Sequence, residues 1–165
     1  MTTAISFEEL LAWNKEASRF WKAHLDANPD TLAVPCSIGG TANVQEFVRH
    51  IWGVDLLWAQ RIAGLPVTDR NEWPAGPVEA LFDLHLRGGV IFHKLLDDPA
   101  QDWSAPYISA DRPLPPEIGQ VSRRKAMLHA LFHSQRHWAQ LATLLRVAGY
   151  PTKFRGDFLM SSAMQ

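Results

Sequence analysis

Residues 129–150 read HALFHSQRHWAQLATLLRVAGY, from His129 to Tyr150. Ala130, His133, His137, Leu141, Leu144 and Ala148 recur at three- and four-residue spacing, the signature of one buried helix face. The pattern predicts a helix from about Ser122 to Ala148, stopped by Gly149 with Pro151 just beyond. His133 and His137 then share a face, about 6 Å apart along the axis at about 1.5 Å per residue. Two imidazoles so placed can take adjacent corners of one metal's coordination shell, as in the HExxH zinc motif. They can equally be core histidines satisfied by backbone groups, because buried ring nitrogens need partners of some kind.

The same periodicity recurs three times upstream. Ser6 and Glu9 form a capping box ahead of Leu10, Trp13, Ala17, Phe20 and His24, predicting a helix over about 6–27 that Asn28-Pro29-Asp30 breaks. Phe47, His50/Ile51, Val54 and Leu57/Trp58 predict a second over about 43–63, closed by Gly64 and Pro66. Pro77 opens a third over about 77–97, with Val78, Leu81, Leu84/His85, Gly88, Ile91/Phe92 and Leu95 as its stripe. Strand signals are weak; Thr31–Val34 could pair but has no hairpin turn. The expectation is therefore an all-α, four-helix bundle, a single domain over 1–165. Two connections, Leu65–Gly76 and Asp98–Val121, exceed the usual bundle loop of about 2–8 residues. The second carries Pro99, Pro106, Pro113, Pro115 and Pro116, and is either a fixed wall over one bundle end or a plain surface crossover.

His50 lies on the inner seam of the second helix, between Phe47 and Val54. A third inward histidine completes three protein ligands with positions left open, the general form of a catalytic rather than a closed metal site. An all-nitrogen set suits Zn, Ni or Fe.

Composition narrows the alternatives. The chain has seven histidines and one cysteine, Cys36, which excludes an internal disulfide framework and a multi-cysteine zinc site. Sixteen Lys and Arg against seventeen Asp and Glu argue against a nucleic-acid binder, and Arg123-Arg124-Lys125 is too short a basic run to change that. No stretch reaches the ~18 apolar residues of a membrane span. The opening MTTAISFEELLAW lacks a basic segment followed by an apolar run, and a cytoplasmic protein is expected.

At this point two segments resemble the DinB family of metalloenzymes (DinB/YfiT-like). HIWGVDLLWAQRIAG, His50–Gly64, is similar to that family's second helix, and His129–Tyr150 to its fourth. The resemblance implies a four-helix bundle of up-down-down-up topology, with a divalent metal held by His50, His133 and His137. It also implies either a thiol-dependent S-transferase using a low-molecular-weight thiol or a metal-dependent hydrolase, acting on a small-molecule substrate, and often a homodimer. A metal-carrying stress-response protein without turnover is the non-enzymatic reading. Many family members follow the last metal histidine with His-Arg-Gly-Gln or Arg-Gly-Gln; this chain keeps Gln140 but has Trp138 and Ala139 in place of the Arg and Gly.

Supporting residues can be proposed by spacing. Glu46, one turn before His50, His129, one turn before His133, and Gln140 are candidates for orienting an imidazole, since metal-bound histidines usually donate their other N–H. Asp55 is a further such candidate, with a solvated face as its plainer role. Trp138 and His85 are candidates for walling a pocket. Gly88-Gly89 costs a helix roughly 1 kcal/mol per glycine, which close helix contact or room for substrate would offset. Cys36 reads as a buried structural thiol.

Overall fold

In the computed structural model, which describes residues 4–109, 111 and 113–163, three helices begin on a side chain that satisfies their first free amides. In α1, Phe7–Ala27, Ser6 Oγ accepts from the Glu9 N–H at 3.2 Å and Glu9 Oε2 accepts from the Ser6 N–H at 2.7 Å. In α2, Val44–Ile62, Asn43 Oδ1 accepts from the Glu46 N–H at 2.9 Å. In α4, Arg123–Val147, Ser122 Oγ accepts from the Lys125 N–H at 3.2 Å. Pro77 precedes α3, Val78–Asp97. Gly64 and Gly149 take positive φ, which ends α2 and α4 in the left-handed turn that a β-carbon disfavours. Among the described residues there is no strand. Thr31–Val34, which could have paired, falls largely in a 3₁₀ turn, Pro29–Ala33, and the bridge in this connector is Pro35 with Asn43.

Cross-helix contacts fix the topology. Trp13 meets Phe132 and Trp21 stacks on Trp138, so α1 and α4 run in the same direction. Ser18 lies against His85 and Lys22 pairs with Glu79, so α3 opposes α1. Trp52 meets Phe82 and Asp55 meets His85, so α2 runs with α3. Each of α1 and α2 packs chiefly on α3 and α4. The result is an up-down-down-up four-helix bundle with α1 and α2 on one diagonal. Trp21, Trp52 and Trp138 meet at its centre, all fully buried.

A polar contact ties all four helices together inside this core. The buried Asp55 carboxylate accepts from the His85 ring at 2.8 Å and from the Ser134 hydroxyl at 2.5 Å, with Ser18 Oγ 3.4 Å from the same His85 nitrogen. Gly88 makes the approach possible: a Cβ there would come within 3.0 Å of the Leu56 amide nitrogen. Gly89, by contrast, faces open space. Close helix contact therefore accounts for the first glycine and not the second.

Both long connections are tied down. Arg49 donates to the Arg70 and Trp73 carbonyls at 2.8 and 2.7 Å, and Gln45 to those of Ala75 and Gly76 at 2.9 Å. The Trp73 ring covers Gly53, where a Cβ would come within 2.3 Å of it. In the proline-rich crossover, the Tyr107 N–H donates to the Val121 carbonyl at 2.8 Å, and the Arg61 guanidinium donates to both Asp111 oxygens at 2.5–3.2 Å. Leu114 and Ile118 of this crossover wall a cavity beside α4.

Candidate metal centre

Antiparallel packing of α2 on α4 sets the N-terminal part of one beside the middle of the other. His50, His133 and His137 converge there, each offering a ring nitrogen within 4.8 Å of the others. His133 Nε2 and His137 Nε2 face one another at 3.1 Å. Two imidazoles sharing one metal at about 2.0–2.1 Å put their nitrogens roughly 3 Å apart, so the observed separation suits a shared cation. The His50 ring centroid lies 5.4 and 5.2 Å from those of His133 and His137, completing the third side.

The electrostatics favour neutral imidazoles with free lone pairs. Burial, then the neighbouring His137, draws His50 down to about 4 and His133 to about 3. His137 is also lowered, chiefly by burial, against an opposing hydrogen bond from Gln140. Arg136 depresses all three by its charge, and Arg70 adds to the effect on His50. A cation binds the unprotonated imidazole, so these shifts keep the donors ready near neutrality. His133 Nδ1 is buried with no partner among the described residues.

Gln140 Oε1 accepts from His137 Nδ1 at 2.7 Å, which turns the lone pair of Nε2 inward. Glu46 goes elsewhere: its Oε2 accepts from the Ala42 N–H at 2.8 Å, at the α2 N-terminus, where a carboxylate also meets the helix dipole favourably. His129 sits between two regions, its ring 6.0 Å from that of His133 and edge-on to Trp58 at 5.0 Å. Trp138 is buried between Trp21 and Trp52 and does not wall the centre, because neighbouring helix positions point about 100° apart. His85 belongs to the Asp55 contact in the core, and Asp55 is buried rather than a solvated face residue. Cys36 is buried and accepts from the Thr41 hydroxyl at 3.4 Å.

Sequence reasoning missed the two arginines. Arg136 Nη2 lies 3.4 Å from His137 Nε2, placed by adjacency to that candidate ligand, a signal that was available. Arg70 acts on His50 by its charge, and only through the fold of the α2–α3 connection. A depression of about 340 Å³ opens beside the centre, lined by His129, Phe132, His133, Gln135 and Arg136.

The family model described as DinB superfamily matches residues 12–141, most of the chain and all three histidines. No curated protein matches it.

Proposed function

The chain belongs to the DinB superfamily, and on that premise we propose that it is a divalent-metal-dependent enzyme, acting on a small electrophilic substrate as a thiol S-transferase. The observation that carries the reading is the convergence of three neutral imidazoles, with His133 and His137 nitrogens 3.1 Å apart. The donor set suits Zn, Ni or Fe. When bound, such a cation supplies Lewis acidity that lowers the pKa of a small nucleophile beside it.

The remaining roles belong to the chain. Gln140 orients His137, and burial holds the ligand rings neutral. Arg136, exposed at the rim, offers a guanidinium to negative charge that develops on substrate. The thiol is a low-molecular-weight co-substrate, since the one cysteine of the chain is buried and hydrogen-bonded. Hydrolysis, with water as the nucleophile, is the second reading; the open depression beside His133 supports it. No described helix is long and apolar enough to cross a membrane. A cytoplasmic homodimer fits this role, supported by Ala139, Leu144 and Val147 on an outward face of α4, the last 82% exposed.

Metal analysis of purified wild type and of His50→Ala, His133→Ala and His137→Ala tests the reading. Wild type is expected to hold about one metal per chain, and each variant to lose most of it. Full retention by all three overturns it. A panel of activated electrophiles with glutathione, bacillithiol and mycothiol then separates the activities. Thiol-dependent turnover supports S-transfer; thiol-independent ester or amide cleavage supports hydrolysis; neither, with metal retained, points to a non-catalytic metal protein.

A further inference from the structure

The cavity beneath the proline-rich crossover encloses about 530 Å³, within the range of roughly 300–1,000 Å³ typical of small-molecule sites. Trp58, Tyr107, Leu114, Ile118 and Val121 supply most of its apolar lining. The Trp58 and Tyr107 rings lie 5.6 Å apart at 44°, presenting aromatic faces and edges of the kind that pack on another ring. His129 lines both this cavity and the depression that contains His133. Two ring-to-ring steps, of 5.0 and 6.0 Å, thus lead from Trp58 through His129 to the histidine centre.

We infer that this cavity holds the non-reacting aryl part of a substrate whose reacting group lies at His50, His133 and His137. The inference rests on the metal reading above and adds the substrate class: a molecule with an aromatic body one short linker away from its electrophilic group. The wall is set before any ligand arrives. Arg61 holds Asp111, Tyr107 is bonded to Val121, and Pro113, Pro115 and Pro116 restrict the segment between. A preformed wall lowers the ordering cost of binding. Binding energy from this remote part can then support reaction at the centre.

Calorimetric titration of the metal-loaded full chain tests it with three probes: 2-naphthol for the cavity, acetohydroxamate for the centre, and naphthylacetohydroxamate for both. The joined probe is expected to bind at least about tenfold more tightly than either part. Leu114→Asp and Ile118→Asp, both on the crossover and outside the four helices, are expected to abolish that gain and weaken 2-naphthol with metal content unchanged; the thermal melt stays unchanged for Ile118→Asp, at an exposed position, and falls for Leu114→Asp, which packs on the core. His133→Ala is expected to lose the hydroxamate contribution while 2-naphthol still binds. The inference is overturned if 2-naphthol fails to bind wild type, if both aspartate variants bind it as wild type does, or if the joined probe gains nothing. Metal content is measured separately, so a chain that binds 2-naphthol but takes up no metal identifies failure of the metal reading instead.

Discussion

Burial acts on the three clustered imidazoles one ring at a time, and its consequence is a pH dependence. In the unfolded chain a histidine titrates near about 6.5; in the fold His50 is drawn to about 4 and His133 to about 3, first by desolvation and then by His137. Between those limits the unfolded chain binds more protons, so stability is fully present above about pH 6.5 and declines as pH falls toward the folded values. The chelator-treated protein should therefore melt at progressively lower temperature between pH 7 and pH 5. His133→Leu should flatten that dependence. An equal slope in the two proteins, measured by thermal circular dichroism, would show that the imidazole is not responsible. Periodicity alone put His50, His133 and His137 on inward seams, and spacing made Gln140 a candidate for orienting an imidazole. It gave no means of pairing Asp55 with His85 and Ser134, because those partners sit on three different helices.

Where α2 and α3 cross, two adjacent glycines face different surroundings. A Cβ at Gly88 would press on α2 backbone atoms at 3.0–3.1 Å, which cannot turn aside as a side chain can. Gly88→Ala is expected to cost about 1–3 kcal/mol, overpacking outweighing the better helix propensity. A Cβ at Gly89 meets nothing within 4 Å, so Gly89→Ala should stabilise by up to about 1 kcal/mol. Urea unfolding of the two variants checks both signs, and destabilisation by both would refute the distinction. The sequence marked the pair as costly within a helix. Only the crossing of two helices shows which glycine the packing requires.

Across the whole molecule, the proline-rich crossover is held to the bundle by several ties, among them the Arg123 and Arg124 N–H groups on the Ala105 and Trp103 carbonyls and one buried guanidinium, that of Arg61. The Arg61 side chain is 7% exposed and its carboxylate partner Asp111 is 37% exposed. The Arg61 guanidinium beside it holds the Asp111 carboxyl down to about 2, so the pair persists well into the acid range. Asp111→Asn leaves Arg61 with a neutral partner and weakens the tie. Amide hydrogen exchange should then speed up in residues 103–121, while the α1–α4 amides keep their protection. Faster exchange throughout the chain would mean that the tie supports the bundle as a whole. The prolines indicated restricted freedom in this segment, but the partner that fixes it lies fifty residues away on another helix.

The amino-acid sequence by itself determined the helices, their caps and the inward faces, because each depends on neighbours within about four residues. It therefore determined the bundle and the three histidines that point into it. Tertiary structure decided what those faces meet. Antiparallel contact of α2 with α4 brings His50 to His133 and His137; the close α2–α3 crossing at Gly88 brings Asp55 to His85; the returning crossover encloses the cavity beside His129. These distances depend on residues far apart in the chain, and no local rule of spacing contains them.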